Sequence, residues 1–286
     1  MKQLTLYPGA KINIGLYVFE KRPDGFHEIE SIFYPVGPDN SNLVPDKLTV
    51  SVCENQNEET LFYTENYSEK VRMIECGLDY PGTPQDNICV KAYELLDADF
   101  QLPPAMIVLE KHIPVGAGLG GGSSDGVCTL KALNELCGLE LSEAQFMDYA
   151  ARLGSDCPFF VRNEPMLVTG RGEILSALGN QAAKAIAEME KNYKIEIVFS
   201  PECFVSTKMA YSIVPKRLRS QNIPLEEFVT EPLDNWLGKV LNDFEAPVFK
   251  EFPQLEKVKQ ELTKKGAAFV QMTGSGSAIF GLFCKD

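Results

Sequence analysis

Residues 114 to 125, Pro-Val-Gly-Ala-Gly-Leu-Gly-Gly-Gly-Ser-Ser-Asp, set five glycines between an apolar, strand-like run and the start of a helix. Backbone this bare lets a ligand reach the main chain. Each glycine can take a positive φ and turn its N–H outward, and a helix opening at Ser123 or Ser124 would aim further unpaired N–H groups and the positive end of its dipole at the same place. The expected ligand is an anion. Its expected cradle runs from Pro114 and Val115 through Gly116, Ala117, Gly118, Leu119, Gly120, Gly121 and Gly122 to Ser123 and Ser124.

Known phosphate loops differ in what must surround them. A Walker loop needs a lysine directly after its second glycine, and none lies between Pro114 and Lys131. Gly116 to Gly121 satisfies Gly-x-Gly-x-x-Gly, but a dinucleotide fold then needs a second parallel strand ending in an acid about 20 residues on, where this chain has a second helical pattern. The His-Arg-Asp and Asp-Phe-Gly signatures of protein kinases are absent. A flexible linker fits poorly, because the segment abuts a β run on one side and a helix on the other.

At 286 residues the chain has room for one large or two modest domains; two are expected, 1–165 and 166–286. A composition of 44% hydrophobic and 23% charged residues is that of a soluble globular chain. The net charge of −13 argues against a broad nucleic-acid or anionic-membrane surface, so the expected partner is a small molecule whose phosphate is held by local amides and a few lysines. Eight cysteines without a Cys-x-x-Cys pair, beside two histidines, make neither a zinc motif nor a legible disulfide frame. Reduced, buried thiols are expected. With no signal-like N-terminus and no run approaching 18 apolar residues, a cytoplasmic protein is expected.

Residues 9 to 18 alternate, with Ala10, Ile12, Ile14 and Leu16 on one face and Lys11, Asn13 and Gly15 on the other, the period of a half-buried strand. Arg22-Pro-Asp-Gly25 is turn chemistry, Leu48 to Cys53 alternates again, and Asp86 can cap a helix running to about Leu96. Met106 to Ile113 reads as the strand feeding the glycine loop. Beyond the loop, Val127, Leu130, Leu133 and Leu136 keep helical spacing until Gly138, and Ser142 with Gln145 predicts a capping box on a helix closed by Gly154. Asp156 then falls in the turn immediately after. Lys194 to Phe199 reads as a strand, Pro253 to Lys265 as a helix stopped by Gly266, and Ala268 to Phe283 as two strands around Gly274-Ser-Gly276. Residues 179 to 193 fit either a helix or a mobile insert.

Three separated segments, Pro8-Gly-Ala-Lys-Ile-Asn13, the Gly-Gly-Gly-Ser-Ser loop and Thr273-Gly-Ser-Gly276, occur in an order that resembles the GHMP small-molecule kinases over essentially the whole chain. Ala10-Lys-Ile-Asn13, Arg22-Pro-Asp-Gly-Phe-His27 and Leu153-Gly-Ser-Asp-Cys-Pro-Phe-Phe160 narrow the resemblance to members acting on a diphosphocytidyl alcohol. The resemblance implies an α+β fold of two domains, the first like ribosomal protein S5 domain 2 and the second ferredoxin-like. It also implies transfer of the γ-phosphoryl group of ATP, carried with Mg2+, to the 2-hydroxyl of 4-diphosphocytidyl-2-C-methyl-D-erythritol, a step of non-mevalonate isoprenoid synthesis.

The same resemblance gives Asp156 as the catalytic carboxylate that takes the hydroxyl proton, and Lys11 as the cation beside it and the γ-phosphate. It adds Asn87 and Lys111 to the nucleotide loop, and Asn13, Phe26, His27, Phe33, Tyr211 and Gly274 to the acceptor site. The family more often has tyrosine at Phe26 and phenylalanine at Tyr211; either ring can stack on cytosine. The residues by themselves leave plainer readings open. Asp156 suits an Asx-type turn, Lys11 the solvent face of a strand, Lys111 an exposed strand position, His27 a turn and Phe33 the core. A GHMP kinase for homoserine or mevalonate would share the loop but not the segment ending at His27, and a silent nucleotide-binding regulator would have no need of both Lys11 and Asp156.

Overall fold

The computed structural model describes residues 1–53, 70–78, 82–215, 217 and 223–285. They form two compact units interleaved along the chain, one of residues 1–10, 44–115 and 121–162, the other of 11–43, 116–120 and 163–286. The strands are β1 (Lys2–Leu6), β2 (Ala10–Lys21), β3 (His27–Val36), β4 (Lys47–Val52), β5 (Val71–Gly77), β6 (Ala105–Lys111), β7 (Met166–Thr169), β8 (Ile174–Ala177), β9 (Tyr193–Val198), β10 (Phe269–Met272) and β11 (Ile279–Cys284). The helices are α1 (Ile88–Phe100), α2 (Gly121–Cys137), α3 (Glu143–Leu153), α4 (Cys157–Arg162), α5 (Asn180–Asn192), α6 (Thr207–Ile213), α7 (Leu225–Val229), α8 (Glu245–Glu251) and α9 (Pro253–Lys264).

In the first unit the sheet runs β1-β4-β6-β5, antiparallel except for the β5–β6 pair. Period-2 alternation turns Leu48, Val50 and Val52 of β4 and Ala105, Ile107 and Leu109 of β6 into one buried face, which packs against Val90, Tyr93 and Leu96 of α1 and Leu130 and Leu133 of α2. The two helices approach closely because Gly126 has no side chain: a Cβ there would lie 2.9 Å from Ile88 Cγ1. α2 ends at Gly138 with φ +64°, the left-handed exit that glycine takes without strain. The Ser142–Gln145 capping box opens α3 as the sequence predicts, and Gly154 closes it in extended rather than left-handed backbone.

The second unit holds two sheets, β2-β3-β7-β8 and β10-β11-β9. Leu16, Val18 and Ile29 share a core with Val248 and Leu255 of the C-terminal helices and with Val270, Met272 and Ile279. α5 settles the open reading of 179 to 193 as a helix.

Three local expectations are corrected. Strand β2 is buried on both faces from Ala10 to Phe19, because helices, the glycine loop and β3 cover the side that alternation alone assigns to solvent. Asp86 does not cap α1; it ends a one-turn 3-10 segment, and Asn87 is the N-cap, its side-chain oxygen accepting from Cys89 N at 2.8 Å. Finally, α2 opens two residues before the predicted serines, at Gly121. None of the eight cysteines is in a disulfide; four of them are buried, and Cys76 and Cys284 are exposed.

Candidate active site

In the second unit the glycine loop is fastened to the two other segments of the sequence pattern. Gly116, Gly118 and Gly120 take φ of +73°, +80° and +71°, a conformation costly to any side chain. Lys11 N donates to Leu119 O at 2.8 Å, Ala278 N to Ala117 O at 3.1 Å, and the Thr273 hydroxyl to Gly118 O at 3.3 Å. Segments more than 100 residues apart thus meet as backbone against backbone, the reason both the loop and the Thr273–Gly276 turn are glycine-rich.

Lys11 and Asn13 lie beside this junction and are buried, not solvent-facing. The Lys11 ammonium donates to Asn13 Oδ1 at 2.6 Å and stands 4.5 Å above the Phe33 ring, so amide oxygen and π face replace water around a buried charge. Asn13 Nδ2 donates to Ser31 Oγ (2.9 Å), Ser31 Oγ to Gly15 O (2.6 Å), and Thr273 Oγ1 meets both Asn13 N (3.0 Å) and Asn13 Oδ1 (3.2 Å). Both polar atoms of the Asn13 side chain are held, which fixes where its neighbour's ammonium can go. Phe33 is buried and Gly274 sits in the turn with φ +55°.

His27 and Tyr211 stack, with centroids 5.5 Å apart and planes 17° apart, while His27 Nδ1 lies 3.0 Å from Phe19 O and Tyr211 meets Phe244 edge-on. Phe26 is more than half exposed, with the Arg171 guanidinium 4.8 Å over its ring.

The opening of α2 lies in the first unit. The amides of the first turn of α2, from Gly121, have no carbonyl of a preceding turn to bond. Gly121 and Gly122 play different parts there: a Cβ on Gly121 would lie 2.7 Å from Ile113 Cγ2, whereas one on Gly122 would meet nothing within 4 Å. Open space over Gly122 is where an anion could approach the amides. Ser123 is half-buried; Ser124 is buried on the packed side of α2. The Cys157 thiol is pushed up to about 11 by burial, against a lowering hydrogen bond from Ser123. Asp156 is half-buried in the turn between α3 and α4, with Ser155 Oγ at 3.4 Å from its Oδ1. α4 is tied to α2 by the Lys131 ammonium, which donates to Phe160 O and Val161 O at 2.8 and 3.1 Å.

Lys111 and Asn87 are occupied within this unit. Lys111 is neither exposed nor free-reaching: its ammonium, buried under α2, bonds Asp46 and, at 2.7 Å, Asp125. Asn87 caps α1 and donates its Nδ2 to Glu75.

The family model for the GHMP kinases N-terminal domain matches residues 87–164, and that for the GHMP kinases C-terminal region matches 226–286. A 4-diphosphocytidyl-2-C-methyl-D-erythritol kinase of Bacteroides fragilis is 40% identical over 283 residues, 99% of this chain and 93% of its own length. The chain belongs to the GHMP kinase family. Among solved structures, this GHMP kinase is similar to a 4-(cytidine 5'-diphospho)-2C-methyl-D-erythritol kinase, with a TM-score of 0.71 and 29% identity over 98% of this chain and 90% of the other. A homoserine kinase from Cytophaga hutchinsonii shares the fold, with a TM-score of 0.59 at 16% identity over 99% of this chain and 85% of the other.

Two carboxylates of the kinase went unassigned in the sequence. Asp125 stands in the opening glycine stretch, but nothing in the spacing shows that it faces Lys111; Asp46 lies between a loop and β4, outside any pattern. Burial raises Asp125 to about 8, and the nearby Lys111 ammonium holds it from rising further. Its Oδ1 is buried and takes no hydrogen bond from the described residues. Among the described residues no group of three or more His, Cys, Asp or Glu could hold a metal ion.

Proposed function

We propose that this GHMP kinase phosphorylates the 2-hydroxyl of 4-diphosphocytidyl-2-C-methyl-D-erythritol with ATP, in non-mevalonate isoprenoid synthesis. The full-length likeness to the Bacteroides fragilis kinase carries the reading. The geometry supports a phosphate site: three left-handed glycines and the open amides at Gly122 suit a polyphosphate, and phosphoryl transfer asks the protein mainly for positioning and charge compensation. Residues 114 to 124 hold the triphosphate, with Asn87 and Lys111 as neighbours of the nucleotide. The Ser123 and Ser124 hydroxyls would stand near a Mg2+ ion carried by ATP, which would offset phosphate charge.

Asp156 takes the proton of the acceptor hydroxyl, a task open to a carboxylate at a half-buried turn. Lys11, oriented by Asn13 and Phe33, offsets charge on the transferred group. Phe26, His27 and Tyr211 hold the cytosine by stacking and edge hydrogen bonds, and Gly274 lines the acceptor site. In family terms the chain divides near residue 165, while residues 11–43 and 116–120 fold with the C-terminal part. The enzyme works in the cytoplasm on small molecules, in keeping with eight cysteines outside any disulfide and a net charge of −13; no described helix is long and apolar enough to cross a membrane. A coupled ADP-release assay comparing the diphosphocytidyl alcohol with mevalonate and homoserine tests the reading. Turnover of mevalonate or homoserine, but not of the diphosphocytidyl alcohol, would overturn it.

A further inference from the structure

One carboxylate holds both ends of the phosphate loop. Asp46, fully buried, stands just before β4, and its Oδ1 accepts from the backbone amides of His112 (2.6 Å) and Ile113 (2.8 Å), the two residues between β6 and Pro114. The ring of His112 repeats the link, Nδ1–H donating to Pro45 O at 2.8 Å. On its other oxygen Asp46 takes the Lys111 ammonium, and that ammonium donates to Asp125 in the second turn of α2 at 2.7 Å. Gly121 seats on the same cluster, since a Cβ there would lie 3.6 Å from Lys111 Nζ as well as against Ile113.

A buried cluster of two carboxylates and one ammonium is a poor way to gain stability, because packed apolar residues at such places often do as well or better. What it supplies is direction. Two successive amides and an ammonium around one carboxylate have a single arrangement that satisfies them all, and that arrangement fixes the chain entering the loop relative to the helix leaving it. We propose that Asp46 is a positioning residue for ATP: it holds the chain that enters the loop at a fixed spacing from the helix that leaves it, so that the amides of the first turn of α2 are set for phosphate before the nucleotide arrives. The inference rests on the loop being the nucleotide site.

The test is ADP affinity by calorimetry with Mg2+ present, together with steady-state kinetics, on the unmutated chain and on Asp46→Asn, which keeps an oxygen for the amides but turns an N–H toward Lys111. The variant should weaken ADP and raise the KM for ATP by about 10-fold or more, with kcat at saturating ATP and the KM for the acceptor within roughly 3-fold. Leu102→Ala, which hollows the same core away from the loop, should leave ADP affinity unchanged even where its loss of Tm matches. Equal ADP affinity in Asp46→Asn and the unmutated chain overturns the proposal, as does a loss that Leu102→Ala reproduces. Should Asp46→Asn not fold, hydrogen exchange on the unmutated chain decides: ADP should slow the His112 and Ile113 amides by about 10-fold or more, because coupling between a site and its support is reciprocal, and no slowing overturns the proposal. An unmutated chain that binds no ADP overturns the nucleotide reading of the loop and this proposal with it.

Discussion

Gly118 and Gly274 face each other across a gap that admits no side chain on either: a Cβ on Gly274 would lie 2.9 Å from Gly118 Cα, and one on Gly118 would run into the carbonyl of Thr273. Both are left-handed, at φ +80° and +55°. Gly118→Ala therefore combines about 1–2 kcal/mol of backbone strain with a clash against main chain that cannot rotate away, and should cost about 3 kcal/mol or more in total. Urea unfolding checks it; a loss under about 1 kcal/mol would mean that the loop and turn separate at little cost.

Gly122 should behave in the opposite way. Its missing Cβ points into open space and valine is no worse a helix former than glycine, so Gly122→Val should leave the fold intact while a branched side chain stands where a phosphate would approach the amides. Calorimetry should find ADP binding lost. Unchanged affinity would move the phosphate site elsewhere.

Asp156→Asn should keep nucleotide binding and lower kcat by roughly 100-fold or more, the usual scale for a lost general base. The side chain is half-buried at a turn, so little stability should go with it. Turnover within a few-fold of the unmutated enzyme would return Asp156 to an Asx-turn role.

Asp125 should make the enzyme less stable as pH rises from about 5 to 8. Burial raises its folded pKa from 3.8 to about 8, so between those values the folded chain keeps a proton that the unfolded chain has released. The stabilisation is then fully present below about pH 4 and is lost as pH climbs through about 8, at up to roughly 1.4 kcal/mol per pH unit. Asp125→Asn cannot titrate, so the stability difference between the two proteins should shift steadily against the unmutated chain over this range. A pH-independent difference in urea midpoints would show that Asp125 stays ionised beside Lys111.

Local signals in the sequence carried well where one physical rule decided the outcome. The Ser142–Gln145 box, the Gly138 exit and the alternation of Leu48, Val50 and Val52 need only near neighbours to act, and all three stand as read. Lys11 failed the same treatment, because alternation shows which residues share a face but not that β3 and the glycine loop cover the second face. Asp46 was invisible for a deeper reason: its partners, His112, Ile113 and Lys111, lie some 65 residues away, and only the β4–β6 register brings them together. The segments that meet at the glycine loop were legible through family pattern, while the buried charges of Asp46, Lys111 and Asp125 carry no local signature.

The proposed cytosine site gives the sharpest remaining test. Tyr211 already stacks on His27 at 5.5 Å, so Tyr211→Ala removes the ring that holds His27 in plane and, on the proposed reading, a platform for the base, whereas Tyr211→Phe keeps both. The alanine variant should raise the KM for the diphosphocytidyl substrate by the equivalent of about 1–3 kcal/mol with ATP handling unchanged, and the phenylalanine variant should do little. Phe26 is more than half exposed, so Phe26→Ala should show the same kinetic loss without a loss of stability. Replacing cytidine by uridine reverses donor and acceptor at the base edge and leaves protein groups near His27 unpaired, which should lower kcat/KM independently of stacking. Equal kcat/KM for the two substrates, with both alanine variants behaving as the unmutated enzyme, would place the acceptor's base away from Phe26, His27 and Tyr211.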